Sequence, residues 1–173
     1  MSDSMNEQPP VVERPAPNAE LQKRLKEFHG GANWFYWIAA LSVINSLLMF
    51  SGSKWSFIFG LGVTSIIDAL AAVIVEEMGG GLGVWFVRAI ALGFSVAIAA
   101  AFVLIGWLSN KGYGPVYVIG MIIYLLDALL YIGLLLIGEP DWLGLGFHAF
   151  ALFLMFSGYS ALRKLNALQT PAA

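Results

Sequence analysis

From Trp34 to Leu162 the chain is a nearly unbroken series of five apolar stretches: Trp34–Phe50, Phe57–Val75, Val84–Leu108, Pro115–Ile137 and Trp142–Leu162. Each approaches the ~20 residues that an α-helix needs to cross ~30 Å of hydrocarbon. A helix in a soluble bundle keeps a polar face for water, and none of these five has one. The breaks between them are short and polar or glycine-rich: Ser51-Gly52-Ser53-Lys54, Glu76 to Gly83, Ser109 to Gly114, and Gly138-Glu139-Pro140-Asp141. The expected fold is therefore all-α: a polytopic membrane protein with a five-transmembrane-helix bundle, preceded by an interfacial amphipathic helix.

Tryptophan placement supports the same division. Trp34, Trp37, Trp55, Trp85, Trp107 and Trp142 all lie at or near the end of a stretch. Tryptophan concentrates at membrane–water interfaces, whereas a random scatter would have put several at mid-stretch. Composition agrees: the chain is 59% hydrophobic and 12% charged, where soluble domains hold about 25% charged residues. A net charge of -2 and the lack of a basic patch on an aromatic face give no reason to expect a nucleic-acid partner. The absence of cysteine removes disulfides, thiolate metal sites, thiol catalysis and cysteine-linked lipid anchors. The expected partners are the lipid bilayer, a second copy of the chain or a membrane partner protein. The expected place is multi-pass in a plasma or inner membrane rather than an organelle.

Four segments follow. Residues 1–17 carry Pro9, Pro10, Pro15 and Pro17 among Ser and Glu, the composition of a disordered tail. No apolar core precedes the first stretch, which is thus expected to be an uncleaved anchor. Residues 18–31 read as the amphipathic helix: Asn18 caps it, Leu21, Leu25 and Phe28 share a face, and Gly30-Gly31 stops it. Such a helix lies in the headgroup region or serves as a solvated connector. Residues 32–165 form the five-span domain, and 166–173 a short tail. Five crossings put Arg14, Lys23, Arg24, Lys26 and Arg88 on one side and Lys54, Lys111, Arg163 and Lys164 on the other. That near balance does not set an orientation.

Inside the stretches the ionisable side chains are Asp68, Arg88, Asp127 and His148. A charge at mid-membrane costs roughly 2.5–3.5 kcal/mol on insertion scales, so each is a candidate for function. At ~1.5 Å per residue, Asp68 and Asp127 are expected at equal depth, ~16–18 Å from one surface, with Asn45 at a similar level. Helical spacing groups the rest. Tyr117, Gly120, Tyr124, Asp127, Tyr131 and Leu134 share one stripe; Gly60, Thr64, Asp68, Ala72 and Glu76 another; Asp141, Gly144, His148, Ala151, Met155 and Gly158 a third. Ala89, Gly93 and Ala97 give the third stretch a small face for central packing. The expectation is a polar core of Asp68, Asp127, Asn45, Tyr124, Tyr131 and His148. Glu76, Glu77 and Arg88 serve as its entrance charges.

The bland alternative is that the same groups merely hydrogen-bond helices into register. For His148, and more so for Arg88, that alternative leads. Asp68, Asp127 and His148 are a conceivable oxygen and nitrogen ligand set, but no HExxH or paired-histidine spacing supports a metal. The Gly79–Gly83 run lacks the Lys-Ser/Thr of a phosphate loop, and no GxSxG elbow is present. Nothing calls for a cofactor. Ile66-Ile67-Asp68-Ala69-Leu70 and Leu125-Leu126-Asp127-Ala128-Leu129 hint at a parallel repeat. The leading reading is a small transporter or ion-conducting protein using the two aspartates. A non-catalytic accessory or assembly subunit comes second, and an intramembrane metal-dependent enzyme third.

Overall fold

The computed structural model describes residues 17–51, 60–136, 138 and 141–169. It is all-α, with α1 (Pro17–Ala32), α2 (Trp34–Phe50), α3 (Gly62–Met78), α4 (Leu82–Asn110), α5 (Gly114–Leu136) and α6 (Trp142–Gln169). Four segments are long and apolar enough to cross a membrane: Ala19–Phe50, Leu82–Asn110, Gly114–Leu136 and Trp142–Leu168. The expected tail, Lys54, Trp55 and Phe57 lie outside the described residues.

α3 departs from the expected second stretch. It has 17 residues and starts at Gly62, because Leu61 is extended at φ −85° and ψ 130°. Gly60 stands before it at φ 152°. A β-carbon there would also press within 3.2 Å of Ser42, so glycine is required on both counts.

The start of α3 lies beside the middle of α2 rather than at its end. The Leu61 amide donates to Ser42 Oγ at 2.9 Å, and Ser46 Oγ donates to Asp68 Oδ2 at 2.6 Å. Stepping forward along α2 therefore steps forward along α3, and the two run parallel. Leu61, at the level of Ser42, lies about 13 Å back along α2 from Ser51. α3, as long as α2, thus begins inside the bundle. α4 runs antiparallel to α2: the Arg88 guanidinium donates to the Phe50 carbonyl at 3.3 Å, while Gly106 packs on Phe35 and Tyr36. α5 and α6 complete an antiparallel series, with the Tyr117 hydroxyl donating to the Met155 carbonyl at 2.9 Å.

This topology redraws the ends of the bundle. α1 belongs with the α4–α5 turn: a His29 Nδ1 to Asn110 Oδ1 contact of 2.8 Å and a 3.1 Å bond from Asn110 to Asn33 join them. The C-terminus of α6 is there too. The opposite end holds the close of α2, the turn at 79–81, Gly138 and Asp141. The grouping expected from five full crossings, which set the N-terminal segment with those two turns, is overturned because α3 does not make a full traverse.

α1 does not stop at Gly30-Gly31. It continues to Ala32 and docks along α6, burying Phe28 and Ala32 while Leu21 and Leu25 stay exposed. A β-carbon at Gly31 would come within 2.7 Å of the Gly158 Cα, so this glycine serves close helix contact rather than termination. α6 likewise runs to Gln169, past the expected tail boundary. The Asp141–Gly158 stripe is covered from Gly144 onward, and Tyr117, Gly120, Tyr124, Asp127 and Tyr131 are buried on α5. The expectation for α4 fails. Ala89, Gly93 and Ala97 face outward, and Ala91, Ser95, Ala99, Phe102, Gly106 and Ser109 pack inward instead. Both sets share the same small-residue spacing, which does not say which face a helix turns in.

Candidate functional site

Asp127 sits in the middle of α5 with its carboxylate aimed at the first turn of α3. Oδ2 accepts the Gly62 amide at 2.7 Å, and Oδ1 accepts the Val63 amide at 2.9 Å. A helix leaves its first amides without internal partners, and inside an apolar bundle each of them needs one. Leu61 at the N-cap position has no side-chain oxygen to offer. The cap therefore comes from another helix. It places a carboxylate at the positive end of the α3 dipole, where negative charge is favoured.

His148 completes this arrangement. Its Nε2 lies 3.0 Å from Asp127 Oδ2 and its Nδ1 lies 2.8 Å from the Gly144 carbonyl. A carbonyl oxygen only accepts, so Nδ1 carries a proton. The Nε2–Oδ2 contact is a hydrogen bond between the imidazole and the carboxyl group. The imidazole stacks on the Tyr124 ring at 4.6 Å between centroids and lies 4.5 Å from Tyr131. Among the described residues the buried Tyr124 hydroxyl has no hydrogen-bond partner. His148, Asp127, Tyr124 and Tyr131 are thus brought together as expected, but their polar atoms are mostly committed to one another and to the backbone.

Asp68 is held differently. Gly62 and Asp68 are six residues apart, so Asp68 lies about 9 Å further along α3 than the Asp127 contact. The expected equal depth is corrected, because α3 starts at Asp127's level instead of traversing from the opposite surface. Among the described residues, Ser46 donates to Asp68, where Asp127 has two amides and an imidazole. Asp68 also borders two clefts on either side of α3. One, of about 230 Å³, lies between α2, α3 and α4 and carries Glu76 and Arg88. The other, of about 360 Å³, lies between α2, α3, α5 and the start of α6, with Asn45, Tyr131 and Asp141 on its walls.

The remaining expected residues divide. Asn45 is buried at the second cleft, and Glu76 and Arg88 share the first. Glu77 is exposed and borders neither cleft. Arg88 donates to the Phe50 carbonyl and lies 5.9 Å from the Trp85 ring. The conceivable Asp68, Asp127 and His148 ligand set is not assembled, and no group of three metal-binding side chains occurs among the described residues. The repeat at the two aspartates gives them unlike surroundings.

Ser42, Ser46 and the capping amides escaped the sequence reading, and Asp141 was placed on a stripe but not in the site. Ser42 lies three residues before Asn45 and four before Ser46, and that spacing was available. Asp141 accepts the Gly144 amide at 2.8 Å, the Asp-x-x spacing of an N-cap. The Gly62 and Val63 amides carried no signal, because backbone donors appear only once a helix is seen to begin there. No protein-family model, curated protein or solved structure matches the chain.

Proposed function

We propose that this chain is a multi-pass membrane protein that binds and moves a cation, with Asp68 as the binding carboxylate. The observation that carries the reading is the position of Asp68. It is a buried acid with one hydroxyl donor among the described residues, bordering two clefts on a helix that begins inside the bundle. Helices interrupted at mid-membrane are where transporters place ion and substrate sites. Asp127 and His148, by contrast, form the cap that lets α3 start there. On this reading the expected pair splits into one working carboxylate and one structural carboxylate.

The first cleft approaches Asp68 from the end where Glu76 and Arg88 lie. Toward the other end, Phe35, Phe102, Tyr117 and Tyr124 fill the interior. This conformation therefore offers Asp68 to one side, and transport requires a second conformation that opens the other. Trp85 and Trp107 are about 33 Å apart along α4, which matches the hydrocarbon thickness with a tryptophan at each interface. Among the described residues, the end with the N- and C-terminal helices carries Lys23, Arg24, Lys26, Lys111, Arg163 and Lys164; the other carries Arg88. The positive-inside rule then places both termini in the cytoplasm.

The test is flux in proteoliposomes under an imposed proton or sodium gradient. Wild type moves the ion, and Asp68→Asn, which keeps an acceptor for Ser46, loses most of that flux. Equal flux in both proteins would sink the reading. The rival role, an accessory subunit, draws support from Ala89, Gly93 and Ala97, which leave a close-approach face uncovered on α4. That role predicts a co-purifying membrane partner lost in Gly93→Leu, with no flux by the chain alone.

A further inference from the structure

The second cleft supports a more specific ligand, on the reading that Asp68 is the binding carboxylate. We propose that it takes a small organic cation, held by the carboxylates of Asp68 and Asp141 beside the ring of Tyr131. At about 360 Å³ it falls within the size range of small-molecule sites. Both acids are on its walls, and among the described residues its lining includes no lysine, arginine or histidine. In a surrounding of low dielectric, that charge pattern favours a positive guest and rejects an anion. A bare metal ion would leave Met49, Ile66 and Leu134 facing empty space. A carbon skeleton bearing a cationic head fills them.

The aromatic element is fixed in advance. A β-carbon on Gly62 would meet the Tyr131 ring at 2.8 Å, and one on Gly144 would meet the other edge of the same ring. Two glycines, at the first turns of α3 and α6, thus make the slot that the ring occupies. A ring locked in this way loses little freedom when a cation comes to its face. Asp141 is held too, since its Oδ1 accepts the Gly144 amide at 2.8 Å.

The experiment titrates the full chain in detergent with phenyltrimethylammonium, followed by saturation-transfer NMR. The neutral isostere tert-butylbenzene and the anion benzenesulfonate serve as controls. The cation is expected to bind saturably and the controls are not. Asp68→Asn and Asp141→Asn keep their acceptor oxygens for Ser46 and Gly144. Each is expected to weaken the cation by about tenfold or more, the loss of one close charge partner. Ala69→Phe narrows the cleft without touching either acid and should weaken binding similarly, so the inference stays exposed even where an Asn variant folds poorly. A cation that binds no better than tert-butylbenzene, or that binds equally to all three variants, overturns it. Asp68-dependent proton or sodium flux without phenyltrimethylammonium binding defeats this inference alone. Binding that depends on both acids in a chain without flux defeats the transport reading and leaves the cleft as a cation receptor.

Discussion

The carboxylate of Asp127 accepts the amide of Gly62 at 2.7 Å across 65 positions of sequence. A helix that begins halfway through the bundle is thereby closed by a side chain from another helix. The bond explains why a buried acid occupies the middle of α5, and why that acid carries an imidazole with it. It also fixes where α3 starts, and so where Asp68 falls relative to the clefts.

Removing that cap should be costly. Asp127→Ala leaves the Gly62 and Val63 amides and His148 Nε2 without their partner. The expected loss is roughly 1–3 kcal/mol, the range for orphaning buried polar groups. Asp127→Asn keeps an acceptor oxygen and should lose less. Thermal melting of the detergent-solubilised protein checks the order wild type, Asn, Ala. Melting temperatures that do not separate would remove the capping role.

Adjacent glycines in α1 should respond in opposite ways. Gly31→Ala drives a methyl group into Gly158 and the Leu154 carbonyl, and overpacking of this kind costs about 1–3 kcal/mol. Nothing lies within 4 Å of the position a β-carbon would take on Gly30. Gly30→Ala should therefore be neutral, or gain up to ~1 kcal/mol from helix propensity. Melting of the two variants, with protease cleavage in α1 as a second readout, distinguishes docking from a free helix.

The mid-bundle start of α3 predicts an even number of crossings, with α1 and the C-terminal end of α6 on one side. Because the chain has no native cysteine, single replacements report side without background. Lys26→Cys and Lys111→Cys should label only after cells are opened, and Gly80→Cys should label in intact cells. Lys26 and Lys111 labelling from opposite sides would restore five crossings.

Much of this architecture was legible in the residues. The apolar stretches gave the helices, and the three–four spacing on α5 predicted a buried face from Tyr117 to Tyr131. The late start of α3 was not legible. Ile58, Phe59 and Leu61 are as apolar as the residues after them, so hydropathy runs across the point where the backbone turns extended. The equal depth assigned to Asp68 and Asp127 failed for that reason, and so did the near balance of basic residues between sides. The packing face of α4 was missed because its outward and inward sets are equally small. His148 was weighed toward a structural role, and its two ring nitrogens lie against the Gly144 carbonyl and the Asp127 carboxylate.

The central claim is that the two buried aspartates do different work, and one paired measurement tests it. Asp68→Asn and Asp127→Asn are each purified, melted in detergent, and assayed for gradient-driven flux in proteoliposomes. The predicted outcome is a crossed pattern: Asp68→Asn keeps its melting temperature and loses flux, while Asp127→Asn loses melting temperature first. If Asp68→Asn instead melts early and its residual folded fraction carries normal flux, the assignment of a working and a structural carboxylate is wrong.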